Sequence, residues 1–276
     1  LTRVRDIGRV FAVTGRGYLS LGRAPWTRIV SWRLRRMLRR ALRQPSAVLL
    51  VENETDRAWV EHGDVLDGNS VLMPGAGVDA DKFTPAPEPA APPVVIGVVA
   101  RLIWSKGVDL AVEAVRRLRA EGLDVRLYIA GAADPQNPEH VSDAAIESWR
   151  ATEGVELLGK VDDVNGFWGG AHIACLPSRG GEGLPRSLLE AAACGRPIVT
   201  SDAPGCVDFV KHGEIGLVVK RDEISPLTEA LRALVLDAGV RKRMGAAARQ
   251  RVVDGYTEAH AGAQASKAWR LARGAP

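Results

Sequence analysis

Aromatic side chains are scarce in this chain, making up 5% of its 276 residues. That scarcity speaks against a β-sandwich that stacks rings on sugars. The dominance of Ala, Gly, Val and Leu fits tight helix-on-sheet packing better. Cysteine is scarcer still: Cys175, Cys194 and Cys206 are too few and too scattered for a disulfide framework or a zinc site. Two of them sit among apolar or small residues, where a free, buried thiol in a reducing compartment is expected. No apolar run approaches the length that crosses a bilayer, and the start lacks the n-region and h-region of a secretory signal. These absences together imply a cytoplasmic protein. The five histidines, His62, His140, His172, His212 and His260, show no ligand spacing, so no metal site is expected. Methionine is missing at the first position, where the chain opens on "LTRVRDIGRVFAVTG", and an upstream part is expected from that.

What is present is a soluble globular composition, 46% hydrophobic and 25% charged, long enough for two ordinary domains or one large one. The net charge of +4 is compatible with anionic partners without requiring them. From residue 94 short β-branched runs alternate with amphipathic stretches. The runs are "VVIGVVA" (94–100), "VRLYIAG" (125–131), "VELLG" (155–159), "IACLPS" (173–178), "PIVTSD" (197–202) and "GLVV" (216–219). Helices are predicted between them at 108–121, 143–152, 163–170, 185–194 and 207–212, and after them at 225–237, 239–254 and 257–272. Such alternation predicts a parallel sheet covered on both faces, with right-handed crossovers giving a doubly wound, Rossmann-like domain.

The first ninety residues read as the end of another α/β unit: strands at 10–15, 47–52 and 70–75, and a helix over 54–62. A long helix over 25–43 has Trp26, Val30, Leu34, Met37, Leu38, Ala41 and Leu42 marking one face. It also carries Arg28, Arg33, Arg35, Arg36, Arg39, Arg40 and Arg43. Those arginines read either as a solvated helix face or as a contact with an anionic membrane surface. Nucleic acid is disfavoured, because no stacking aromatics interleave with them. "TPAPEPAAPP" (84–93) cannot continue a helix and is read as a linker. The expected organisation is a partial first domain over 1–83, that linker, a complete nucleotide-binding domain over 94–256, and a final helix over 257–276 that packs back on the first part.

The loop "ARLIWSKG" (100–107) follows the first strand of the main domain, at the carboxyl edge where open α/β sheets bind ligands. Arg101 and Lys106 there, beside the start of a helix, suit a diphosphate; two solvated loop cations are the plainer reading. Trp104 between them is either a lid or a packing residue, and His172 is the histidine expected nearest the cleft. In "GGEGLPRSLLEAAACGRPIVT" (180–200), Gly180, Gly181 and Gly183 permit a tight path. Pro185 is expected at the first helical position and Gly195 just past the end. The N–H groups of Leu184, Arg186 and Ser187 would point at a phosphate. Glu190 lies roughly 7–8 Å along the helix, too deep to cap its end, and suits a vicinal diol such as a ribose. Glu182 suits sugar hydroxyls or developing positive charge. Alternatively Glu182 serves the helix dipole and Glu190 is a surface acid.

The ordered motifs "MPGAGVDADKF", "ARLIWSKGV", "EGLPRSLLE", "ACGRPIVTSDAPGC" and "HGEIGLVV" together resemble family 4 glycosyltransferases, retaining enzymes of the GT-B fold. "EGLPRSLLEAAACGRPIV" is most similar to the bacterial branch that builds capsule and O-antigen units on lipid carriers. The resemblance covers essentially the whole chain. It implies a GT-B α/β chain: one complete Rossmann-like doubly wound domain preceded by a partial second α/β domain. It further implies transfer of a sugar from a nucleotide diphosphate sugar, UDP-linked in many relatives, to an acceptor hydroxyl, glycan or lipid-linked, without metal or cofactor. Arg101 and Lys106 would grip the diphosphate, aided by the N–H groups of Leu184, Arg186 and Ser187. Glu190 would bind the ribose, Glu182 would lie at the transferred sugar, Gly183 would belong to the donor site, and Val161 would lie by the base. Three departures stand out. Gly183-Leu184-Pro185 removes one N–H donor, Thr14 stands where many relatives have a histidine before a glycine, and the first half is short. The rival expectations are a GT-B epimerase, for which this chain lacks extra acid/base residues, and a non-catalytic remnant that binds nucleotide sugar or serves as an interaction module.

Overall fold

The computed structural model of this protein describes residues 7–17, 19, 22, 25–44, 46–61 and 69–274. His62, the expected end of the second helix, lies outside them. Strands β1 (Arg9–Val13), β2 (Ala47–Val51) and β3 (Ser70–Leu72) form a parallel sheet in the order β1-β2-β3. All five residues of β2 are buried, which follows from covering both faces. Ala47, Leu49 and Val51 pack with Leu42 of α1 (Pro25–Leu42) and Val60 of α2 (Glu54–Glu61). Val48 and Leu50, pointing the other way at strand period two, pack with Ala268 and Ala272 of the chain's last helix.

The second sheet holds β4 (Val94–Val99), β5 (Val125–Ala130), β6 (Val155–Gly159), β7 (Ile173–Leu176), β8 (Ile198–Ser201) and β9 (Gly216–Val219). All are parallel, in the order β6-β5-β4-β7-β8-β9. The helices between and after them are α3 (Val108–Ala120), α4 (Asp143–Arg150), α5 (Val164–Gly169), α6 (Arg186–Ala193), α7 (Cys206–Phe209), α8 (Ile224–Leu236), α9 (Ala238–Gly255) and α10 (Glu258–Ala272). Val108, Ala111, Val112, Val115 and Leu118 make the buried stripe of α3 at helical spacing, and they join Leu227, Leu231 and Leu234 of α8 over one face of the sheet. Each buried Val or Leu among them contributes about 1.5–3 kcal/mol. Leu188, Leu189 and Ala192 of α6 cover the other face with Trp168 and Phe209. Side-chain caps start several helices: Ser142 accepts from the Ala145 amide, Asp163 from Gly166 and Asp237 from Val240.

Two local expectations change. Helix α1 buries only part of the face that its apolar residues mark: Leu38 and Leu42 pack inward, while Trp26 and Met37 are 52% and 69% exposed. Thr27 is buried as well, and among the described residues the small first sheet meets the helix with Phe11, Val13 and the near face of β2, too little surface to cover the rest of that face. Pro185 is the residue before α6, not its first helical position; its ψ of 116° is extended, and the helix starts at Arg186.

Residues 84–93 form neither helix nor strand and lie along the second unit. The Thr84 amide donates to Asn165, Arg196 donates to the Ala86 carbonyl, and Glu88 pairs with Arg241 at 3.1 Å. Just before this stretch, Val78 and Phe83 are buried within the second core.

Candidate functional site

Strand β4 sits between β5 and β7, so the chain leaves it in one direction and the later strands build out in the other. Such a reversal opens a crevice at the carboxyl ends of the two central strands. The segments that reach it follow β4 (100–107) and β7 (177–184). They are fastened to each other. Gly107 has φ +69°, and a Cβ there would lie 2.1 Å from the Pro177 carbonyl oxygen. Ser178 Oγ and the Arg179 amide both donate to the Ser105 carbonyl, at 3.2 and 2.7 Å. The Arg179 guanidinium forks onto Asp109 at 2.8 Å for both oxygens and reaches Asp222 at 2.6 Å. The Asp109 hydrogen bond is the leading reason that its pKa is raised.

This fastening brings Lys106, at the end of a 3-10 turn over Trp104–Lys106, onto Glu182. The ammonium donates to both carboxylate oxygens at 2.6 and 2.8 Å, and Ser178 Oγ, whose one proton is shared with the Ser105 carbonyl, lies 3.0 Å from Oε1. The two side chains are 18% and 10% exposed, shielded enough for their attraction to exceed that of a surface pair. A cation and an acid are thus held together where the crevice opens.

Glu190 is buried in α6 and takes a hydrogen bond of 3.0 Å from Arg186, one turn earlier. Burial pushes its carboxyl above the ordinary range, with Arg186 and Lys82 pulling it back. It is therefore not the surface acid of the plainer reading. The Leu184 amide does not point at an open anion site: it donates to Glu52 Oε2 at 3.0 Å. Gly183 is closed in as well, since a Cβ there would lie 2.0 Å from Glu52 Oε2 and 2.5 Å from the Thr14 carbonyl oxygen. Arg186 and half-buried Ser187 occupy the first turn of α6, where backbone N–H groups have no earlier helical acceptor.

Arg101 and Val161 meet at another part of the same edge. With Gly131, Ala132, Asp134 and Lys160 they line a cavity of about 410 Å³ at the ends of β4, β5 and β6. Arg101 is 61% exposed and pairs with Asp134 at 2.9 Å. The two cations expected to act together therefore face different acids, Arg101 towards Asp134 and Lys106 towards Glu182.

Other expectations resolve plainly. Trp104 packs edge-on against Trp149 of α4, centroids 6.2 Å apart. His172 is not near the crevice: it is fully buried at the opposite, amino ends of the strands. Its Nδ1 accepts from the Val95 amide at 3.0 Å and Nε2 meets the Pro89 carbonyl at 3.2 Å. It precedes β7, and strand starts lie on the edge away from the ligand side. Cys175, Cys194 and Cys206 are all buried and unpaired. Burial pushes each thiol up to about 12. Among the described residues no group of three or more His, Cys, Asp or Glu could hold a metal ion, and no helix is long and apolar enough to cross a membrane.

Sequence reading passed over Glu52, Asn53, Ser178, Arg179, Asp134 and Lys160. The signal for most of them was the rule already applied to β4: residues just past a carboxyl strand end reach the ligand edge. Glu52 and Asn53 follow β2, Ser178 and Arg179 follow β7, and Lys160 follows β6.

Residues 93–237, more than half of the chain, match the family described as "Glycosyl transferases group 1". The chain is 26% identical over 163 residues to the capsular polysaccharide biosynthesis glycosyltransferase CapM of Staphylococcus aureus, covering 59% of this chain and 42% of that protein. It is 32% identical over 158 residues to the N,N'-diacetylbacillosaminyl-diphospho-undecaprenol alpha-1,3-N-acetylgalactosaminyltransferase of Campylobacter jejuni, covering 57% of this chain and 39% of that protein. The aligned part of the chain thus spans well under half the length of these relatives. In fold it is similar to the crystal structure of Anabaena HepE in complex with UDP, with a TM-score of 0.75 at 18% identity, covering 94% of this chain and 71% of that one.

Proposed function

This chain belongs to the glycosyl transferases of group 1 and has the GT-B fold, and from that premise we propose that it transfers a sugar from a UDP-sugar to a hydroxyl of a lipid-linked glycan in surface-polysaccharide synthesis, with retention at the anomeric carbon. The observation that carries the reading is the Lys106–Glu182 pair, held at the topological switch point beside the start of α6. In such a transfer negative charge grows on the departing diphosphate. A fixed ammonium with the first-turn amides of Arg186 and Ser187 stabilises that charge without reorganising. Arg101 grips the diphosphate from the side of the cavity that Lys160 and Val161 share, and that cavity takes the uracil. Glu190 accepts from the ribose hydroxyls, and Glu182 lies at the transferred sugar, close against Gly183. The acceptor oxygen forms its bond to the anomeric carbon as the carbon–diphosphate oxygen bond breaks, and the diphosphate oxygen takes the acceptor proton.

The relatives named for capsule synthesis and for a diphospho-undecaprenol substrate support the acceptor class. So does α1, which turns Trp26, Ile29 and Met37 outward beside Arg33, Arg36 and Arg40. Cations at lipid phosphates with apolar side chains at the acyl boundary make a peripheral contact with an anionic membrane surface.

The test is to incubate the full chain with UDP-glucose, UDP-galactose and their N-acetyl forms, with and without a polyprenyl-diphosphate-linked sugar, and to follow product mass and anomeric configuration. Transfer with retention supports the proposal. Donor binding without turnover under any pairing would favour the non-catalytic remnant, and inversion would overturn the assigned stereochemistry.

A further inference from the structure

The loop that carries Glu182 is held from outside its own domain. Hydrogen bonds flanking Glu182 come from the segments that follow β1 and β2. The Gly17 amide donates to the Gly181 carbonyl at 3.1 Å. Asn53 Nδ2 donates to the Gly183 carbonyl at 3.1 Å and reaches that of Glu182 at 3.4 Å. Glu52 Oε2 accepts from the Leu184 amide at 3.0 Å. The approach is too close for side chains. A Cβ on Gly15 would lie 2.6 Å from the Gly183 nitrogen, and one on Gly181 would lie 3.1 Å from Gly17 Cα. Asn53 is itself fixed, accepting from the Asp56 amide at 2.7 Å and donating to Asp56 Oδ2 at 3.0 Å. Arg16 Nε holds the other oxygen of Asp56 at 2.6 Å.

Gly180 and Gly181, at φ +131° and +80°, leave this loop wide backbone freedom, which Ser178 restricts only at Gly180 and at the Glu182 side chain. Something must therefore set where Glu182 stands. We propose that Glu52, with Asn53, is the positioning residue that fixes the Glu182 loop against Lys106, so that the first unit sets the geometry of the sugar-side acid in the second. This rests on the glycosyl transfer proposed above. A carboxylate suits the task because its hydrogen bond to an amide is charge-assisted and stronger than a neutral one. Glu52 stays partly buried at the join, where burial pushes its carboxyl up, the Leu184 amide draws it down and neighbouring Asp56 raises it again. Removing the acceptor leaves a buried N–H without a partner and releases the loop.

The test compares wild type with Glu52→Ala, Glu52→Gln and, as a control, Glu54→Ala on the exposed side of α2. Two readouts are used on the full chain: donor turnover, and amide exchange of the peptide spanning 180–187. Glu52→Ala is expected to lower kcat by about tenfold or more while donor KM stays within about twofold, since misplacement and not lost binding is the defect. Exchange in 180–187 is expected to rise by about tenfold, with the rest of the chain unchanged. Glu52→Gln, which keeps an acceptor oxygen at the same reach, should restore most of both, and Glu54→Ala should match wild type. Unchanged exchange in Glu52→Ala overturns the inference, as does faster exchange spread evenly over the chain, or an unchanged kcat against an active wild type. An inactive wild type would contradict the proposed transfer and not the clamp, which the exchange readout decides by itself.

Discussion

Lys106 and Glu182, 76 residues apart, meet through two hydrogen bonds of 2.6 and 2.8 Å at the carboxyl edge of the second sheet. Neither residue could find the other without the stitching of Ser178 and Arg179 to the Ser105 carbonyl. The pair acts as one unit, so its members should not behave independently. Lys106→Ala and Glu182→Ala are each expected to lower donor kcat/KM by about 10²–10³. The double variant should fall close to either single one. Losses that multiply would show that the two residues work separately.

Gly107 is the hinge of that stitching. Gly107→Ala must place a Cβ against the Pro177 carbonyl oxygen at a φ of +69°, so both sterics and backbone oppose it. A loss of about 1–3 kcal/mol in unfolding free energy is expected, with reduced turnover. Gly122→Ala is the matched comparison: its φ is +85°, but nothing lies within 4 Å. It should lose stability through the backbone alone and leave turnover intact. Denaturant midpoints and initial rates on both variants check this.

The periodicity of the sequence made most of the second sheet and its helices legible. Buried strands such as Val94–Val99 and Ile173–Leu176 stand within their expected runs, because continuous apolar runs bounded by turns have few other solutions. The placement of Lys106 and Glu182 at the carboxyl edge of the sheet was legible for a different reason: both follow the carboxyl end of a strand. What escaped were contacts between units. Glu52 reads as the end of an apolar strand until Leu184 is found against it, and no local pattern links residues 132 apart. The orientation of α1 escaped for a similar reason. Its apolar stripe predicts a buried face, but which arc turns inward depends on how much sheet there is to cover.

The pH dependence of stability should carry the mark of Glu190. Burial raises its folded pKa above the 4.5 of the free side chain. The folded state therefore favours the neutral acid. That contribution is fully present below 4.5 and is lost as pH rises through the folded value. Glutamine does not titrate, so the Tm of Glu190→Gln minus that of wild type should grow more positive from acid to neutral pH. Thermal melts across that range check the sign; a flat or falling difference would contradict the burial argument. Donor KM should rise in the same variant, since an amide replaces the proposed ribose acceptor.

Membrane contact through α1 predicts sedimentation with phosphatidylglycerol vesicles and little with phosphatidylcholine. Combined Trp26→Ser, Ile29→Ser and Met37→Ser should reduce binding while circular dichroism and turnover of a soluble acceptor stay unchanged, because these side chains are exposed. Arg33→Glu with Arg40→Glu should abolish the preference for anionic lipid and its sensitivity to salt. Equal sedimentation with both lipids in wild type would count against the contact.

The central claim, that the crevice at the switch point binds a nucleoside diphosphate through Lys106, is tested most directly by titrating UDP into the full chain in a calorimeter. Saturable one-site binding is predicted for wild type, weakened by about tenfold or more in Lys106→Ala. Equal affinity in the two proteins, or no heat of binding in wild type, would contradict it.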